Sequence, residues 1–133
     1  MKQTNLLISK LKVIFCIGET LAEKKRKKTK SVISKQIKLG LNKVKDKSKI
    51  FVAYEPVWSI GTGKIPKTIE LEQTIKFIKK KFKGNSPKIL YGGSVNPENI
   101  RNLKKIKSLD GFLIGGASQN PKKFIDIVKK TYN

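Results

Sequence analysis

Histidine is absent from this 133-residue chain, and cysteine, methionine and tryptophan occur once each. Without histidine there is no side chain that ordinarily titrates near neutrality and no imidazole metal ligand. With one cysteine, a thiolate metal cluster and an internal disulfide are both excluded. Nothing in the chain requires a metal or a cofactor. That cysteine, Cys16, lies in the apolar run VIFCI, where a small buried thiol is expected. No stretch nears the roughly 20 apolar residues that cross a bilayer. The opening segment MKQTNLLISKLK is threaded with lysine and lacks a small-residue cleavage site, so a soluble, cytoplasmic protein with no membrane partner is expected.

Acidic residues are also scarce, 9 against 31 basic ones, for a formal charge of +22. Such an excess suits nucleic acid or an anionic surface, because lysine and arginine that neutralise phosphates supply most non-specific affinity. Yet only Arg26 and Arg101 are arginine, the residue used for bidentate phosphate and base contacts. Even KKRKKTK at residues 24–30 has no interleaved aromatics to stack on bases. A solvated basic surface is the better reading and a nucleic-acid partner the weaker one.

What is present is a repeated alternation. Four short apolar runs, VIFCI (13–17), IFVAY (50–54), KILY (88–91) and GFLI (111–114), read as buried parallel strands. Between them lie helical stripes: Val32, Ile33, Ile37, Leu41 and Val44; Ile69, Ile75, Ile78 and Phe82; and finally Phe124, Ile125 and Val128. Asn96-Pro97 and Asn120-Pro121 mark helix starts with an N-cap and a first-turn proline, and Thr68 precedes Glu70 and Glu72 in another first turn. The length suits one domain over residues 1–133, with residues 1–12 the remnant of a preceding helix, centred on 4–11. Four strand–helix units imply a parallel sheet, either doubly wound or part of a (β/α) barrel; periodicity does not choose between them.

The strand exits carry the chemistry, because ligands of α/β folds bind at the carboxyl ends of the strands. They read Gly18-Glu19-Thr20, then Glu55-Pro56 leading to Gly61-Thr62-Gly63-Lys64, then Gly92-Gly93-Ser94, and last Gly115-Gly116-Ala117-Ser118. Glycine pairs let backbone N–H groups approach an anion, and Ser94 adds a hydroxyl. Glu55, a carboxylate ending an apolar strand, is expected to be partly desolvated and therefore a stronger base once ionised. Val57, Trp58 and Ile60 form an apolar flap that Gly61 and Gly63 allow to close. An ordinary turn and a structural salt bridge remain open as alternatives on these residues alone.

Taken together, CIGET (16–20), AYEPVWSIGTGK (53–64), ILYGGSVNPEN (89–99) and DGFLIGGAS (110–118) resemble, in order and spacing, motifs of the triosephosphate isomerase family. The resemblance implies an α/β fold, half of a TIM (β/α)8 barrel from about the fifth strand onward, since a whole barrel takes about 250 residues. It implies that Glu55 is the base that interconverts dihydroxyacetone phosphate and glyceraldehyde 3-phosphate through an enediol, a logic for which triosephosphate isomerase is itself a standard worked example. It further implies that Gly61, Ser94, Gly115 and Gly116 hold the substrate phosphate. Pro56, Val57, Trp58, Thr62, Gly63 and Lys64 match the lid, and Tyr91 its latch. Pro66 has no amide hydrogen, so a latch to the rear of the lid needs another group. The family's asparagine, lysine and histidine have no counterpart here. The chain alone is thus expected to be nearly inactive, a small-phosphate binder at most, needing a complementary N-terminal half-barrel or a second copy of itself. Glu19 resembles a family acid, read as structural, whose partners are expected mainly in the absent half.

Overall fold

The computed structural model describes residues 10–133. The expected helix remnant at 4–11 lies outside the described residues except for Lys10 and Leu11, and these are not helical; Lys10 has φ of 65°.

Four parallel strands form one sheet in sequential order: β1 (Val13–Ile17), β2 (Ile50–Tyr54), β3 (Lys88–Tyr91) and β4 (Gly111–Phe112). The first three occupy the spans expected from their apolar runs. The fourth covers only the first two residues of GFLI, although the Leu113 N–H still reaches the Tyr91 carbonyl at 2.9 Å. Helices α1 (Leu21–Lys25), α2 (Thr29–Leu41), α3 (Thr68–Lys80), α4 (Ile100–Leu103) and α5 (Pro121–Tyr132) fill the connections, with short 3₁₀ turns at Val57–Ser59 and Gly116–Gln119. This is the β/α alternation of half a barrel. No described helix is long and apolar enough to cross a membrane.

The core lies on one side of the sheet. Ile17, Ile50, Val52, Tyr54, Ile89 and Tyr91 pack against Ile33, Ile37 and Leu41 of α2, Leu71, Ile75 and Ile78 of α3, Ile100 and Leu103 of α4, and Ile127 of α5. Close contact is built in: a Cβ at Gly40 of α2 would run into the Phe15 ring. On α3 the sequence stripe is corrected, because Ile69 is 66% exposed and Leu71 takes its place inside. Residue 71 lies four before 75 and so falls on its face, whereas 69 is six away and turns outward. On α5 the expected stripe of Phe124, Ile125 and Val128 is largely exposed and Ile127 is the buried residue; the α5 flank beyond β4 has no further described strand to cover.

Among the described residues the other side of the sheet is open along β1, although Ala53 of β2 is fully buried. Strand alternation places Ile14 and Cys16, Phe51 and Ala53, and Leu90 there, in register across the first three strands. Ile14 is 48% exposed and Cys16 is exposed, which corrects the expectation of a buried thiol. An apolar run shows that a residue belongs in a strand; it does not show that both faces of that strand are covered.

Local chemistry sets the helix ends. Asn120 accepts from the Lys123 N–H with Pro121 next in the chain, as read from sequence. Asn96 performs its capping through Oδ1, which accepts from the N–H groups of Glu98 and Asn99, although α4 itself starts only at Ile100. A Thr20/Glu23 capping box starts α1, a T-x-x-E signature that the sequence reading had not used.

Candidate active site

All four strand exits open at one end of the sheet, and β2 carries the acid. Period-two alternation from Phe51 and Ala53 brings Glu55 to the more open side, while its N–H continues the ladder by donating to the Ile17 carbonyl at 2.7 Å. A Cβ at Gly92 would stand 2.6 Å from Glu55 Cγ and 2.8 Å from Oε1, so the carboxylate lies across the β3 exit and requires glycine beneath it. Gly18 abuts the Glu55 backbone so closely that a Cβ would overlap the Glu55 carbonyl. Gln36 of α2 clamps that glycine on both sides, accepting from its N–H at 2.9 Å and donating to its carbonyl at 3.0 Å. Glu55 keeps partial exposure, and Cys16 is its neighbour. The thiol is pushed up to about 11, first by desolvation and then by the adjacent Glu55 carboxylate.

Glu19 sits on the opposite, helix-covered side, 1% exposed. It accepts from the Tyr54 hydroxyl at 3.0 and 3.2 Å and from Trp58 Nε1 at 3.2 Å, and its carbonyl accepts from the Val57 N–H at 2.9 Å. Its partners therefore lie in this chain, which corrects the expectation that they belong mainly to another half. Burial, and next the Glu19 charge, push the Tyr54 hydroxyl well above the ordinary tyrosine value. Trp58 is held from a second direction by Lys24, whose Nζ stands 4.3 Å from the ring centroid and 3.3 Å from a Glu70 oxygen.

The segment from Pro56 to Pro66 arches from this anchor across the exits of β2 and β3. Gly61 and Gly63 have φ of 67° and 75°, the left-handed region that glycine enters without a Cβ clash. Val57 and Ile60 expose their side chains. The Thr62 hydroxyl donates toward the carbonyls of Trp58 and Ser59 and accepts from the Lys64 N–H. Gly63 N–H donates to Ser94 Oγ at 2.9 Å, and the Ser94 hydroxyl in turn donates to the Ser59 carbonyl. Its hydrogen is thus committed to the backbone of this arch. Tyr91, buried and packed 6.4 Å from Tyr54 by ring centroids, meets Ser59 Oγ at 2.9 Å.

Around this arch the glycines chosen from sequence stand in open space: a Cβ at Gly61, Gly115 or Gly116 would meet nothing within 4 Å. Gly115 and Gly116 lead into a 3₁₀ turn, where the Ser118 N–H and hydroxyl both fold back onto the Gly115 carbonyl. The arrangement brings together one carboxylate, a glycine-hinged arch and exposed glycine backbone at the end of a parallel sheet. Such a set is suited to proton transfer on a small anionic substrate. Sequence reasoning missed Ser59 and Gln36. For Ser59 a cue existed, since Pro66 left the rear of the lid without an amide.

Residues 1–131 match the family model described as triosephosphate isomerase. The chain is 44% identical over 125 residues to the triosephosphate isomerase of Thermodesulfovibrio yellowstonii, covering 90% of this chain and 51% of that protein. With that of Leptospira interrogans serovar Lai it shares 42% over 133 residues, 92% of this chain and 53% of the relative. The Mycoplasmopsis pulmonis enzyme is 48% identical over 120 residues, 90% and 47% respectively. The chain spans about half the length of the curated relatives it matches. With its four β/α units, its strand-end glutamate and this extent of identity, the chain belongs to the triosephosphate isomerase family.

Proposed function

We propose that this chain supplies the base and the phosphate grip of a triosephosphate isomerase. The observation that carries the reading is the position of Glu55, laid over Gly92 on the more open side of the sheet with the Pro56–Pro66 arch beside it. In this reading the Glu55 carboxylate takes a proton from the hydroxymethyl carbon of dihydroxyacetone phosphate. The enediol accepts it back on the neighbouring carbon, giving glyceraldehyde 3-phosphate. Gly61, Gly115 and Gly116 direct N–H groups at the phosphate, and lid closure excludes water from the intermediate. Residues 1–133 act as a single unit here, and triose phosphate is the partner molecule.

Polarising the carbonyl needs the family's histidine and lysine, which have no counterpart position in this chain, there being no histidine at all. Each missing preorganised donor costs about 10² to 10³ in rate. With two absent, and allowing for non-additivity, the chain alone should show under about 10⁻⁴ of the activity of a complete family member. It should hold inorganic phosphate without turnover. The test is a coupled assay of the purified chain, alone and mixed with residues of a relative corresponding to the missing N-terminal half. Activity that appears only on mixing, and disappears with Glu55→Gln, is the expected result. Near-normal turnover by the chain alone, or complemented activity indifferent to Glu55→Gln, would refute the reading.

A further inference from the structure

The Ser59 side chain is fully buried, an unusual place for a hydroxyl in a surface arch. Three groups converge on its oxygen: the Lys64 carbonyl, to which it donates, the Ser94 N–H at 3.2 Å and the Tyr91 hydroxyl at 2.9 Å. A serine hydroxyl has one hydrogen and two acceptor sites. The hydrogen goes to Lys64, because a carbonyl can only accept. The two remaining sites then take the Ser94 N–H and the tyrosine, which makes Tyr91 the donor. Every hydrogen-bonding capacity of this one atom is filled.

From this valence count we propose that Ser59 is a positioning residue that locks the lid, joining the lid's front, its rear and the β3 exit through a single oxygen. The proposal rests on reading residues 56–66 as a lid. Two further observations support it. Pro66 has no N–H, so what the rear of the lid offers to this cluster is the Lys64 carbonyl, and only a group that can donate will hold a carbonyl. A Cβ at Gly93 would overlap the Tyr91 hydroxyl and come within 2.6 Å of Ser59 Oγ, so the backbone at the β3 exit leaves room for this three-way junction and for nothing larger. Ser59 and Ser94 are also joined in both directions, since the Ser94 hydroxyl donates to the Ser59 carbonyl while its N–H donates to Ser59 Oγ. The Gly63 N–H, bonded to Ser94 Oγ, reports whether that junction is closed.

The experiment is residue-resolved amide hydrogen exchange on the full chain, with no substrate present, comparing wild type, Ser59→Ala, Tyr91→Phe and the double variant. Gly63 is the lid reporter, and Ile89, whose N–H donates to Asp110 at the base of β3, is the sheet reporter. Ser59→Ala is expected to speed Gly63 exchange by about tenfold or more while Ile89 is unchanged, because it orphans the Tyr91 hydroxyl, the Ser94 N–H and the Lys64 carbonyl together. Tyr91→Phe should do less, and the double variant less than the two effects multiplied, since removing both partners leaves no orphaned hydroxyl. The single tryptophan, Trp58, gives a second readout: its emission should respond less to inorganic phosphate in Ser59→Ala. Unchanged Gly63 exchange in Ser59→Ala overturns the proposal. Should that variant also lose Ile89 protection, the double variant decides: recovery of Ile89 with Gly63 still fast supports the lock, and no recovery overturns it. None of these readouts requires turnover, so failure of the lock is distinguishable from failure of the isomerase reading.

Discussion

Within β1, Val13 and Ile17 on the helix-covered face are 7% and 2% exposed, whereas Ile14 on the opposite face stands half exposed and Cys16 is open to solvent. The residues on the two faces are chemically alike, so the contrast comes from what lies over them. Three longer helices close one face; the other is open along β1, while Ala53 of β2 is buried on it. The division runs through the functional site as well. Glu19 with Tyr54, and Tyr91 with Ser59, form two hydrogen-bonded pairs on the covered side, both made within this chain. Glu55 and Cys16 lie on the more open side, where parallel sheets ordinarily have a second layer. The Ser59 cluster is made entirely within this chain, while Glu55 faces the more open side of the sheet.

The sharpest way to break this contrast is the mixing experiment, where a complementary half should raise activity by about four orders of magnitude or more. If mixing changes nothing, the more open face is not a docking face for that half. Next in size is a pair of core truncations followed by urea melts. Ile89→Ala on the covered face should cost about 2 to 5 kcal/mol, and Ile14→Ala on the more open face under about 1 kcal/mol. Equal costs would show that both faces are buried in solution. Third, Glu19→Ala should destabilise by about 1 to 3 kcal/mol, because it strands the Tyr54 hydroxyl and Trp58 Nε1. A shift of Trp58 emission should accompany it, and no change in either quantity would remove Glu19 from the anchor.

The smallest effect is alkaline. Cys16, with an ordinary value of 9.0, is raised to about 11, and Tyr91, ordinarily 10.0, is pushed up to about 12 mainly by burial. Tyr54 is raised further. In each case the unfolded chain releases a proton that the folded chain keeps, so stability is fully present below pH 9 and declines as pH climbs through about 12. Cys16→Ala should remove only the earliest and shallowest part of that decline, its thiol being solvent-exposed, while Tyr91→Phe should remove a later part. A pH-independent stability up to pH 12 would contradict both.

Much of the architecture was legible because local signals and tertiary packing agree there. The β-branched runs at 13–17, 50–54 and 88–91 are strands because short apolar segments bounded by polar turns have few other uses. The stripe of Ile33, Ile37 and Leu41 is buried because its spacing returns to one helix face. That Glu55 and the glycine-rich exits share one end of the sheet was legible, because parallel strands place all their exits on one side. The misreadings have a shared cause. Cys16, Phe124 and Val128 are apolar by type and exposed by topology, and a single chain's hydropathy carries no information about which faces have neighbours. Ser59 was missed for a different reason: Pro66 hinted that the rear of the segment needs another group, but the groups Ser59 joins, up to 35 residues away, meet only once the strands are aligned.

Among the described residues the parallel, sequential sheet has two unlike edges, β1 and β4, each paired with one strand only. An antiparallel sheet could join a second copy edge to identical edge, but a parallel one cannot do so while preserving its strand direction; β4 of one copy has to meet β1 of the next. Such a contact is head-to-tail, and whether it ends depends on curvature. If the strands keep the tilt of an eight-stranded barrel, two copies close on each other about a twofold axis and every edge is consumed. If they flatten, the same contact never closes and the copies add without limit into a filament. Sedimentation separates the two, as a concentration-independent dimer or as open-ended growth, so the mass distribution of this small chain is a direct reading of how far its sheet bends.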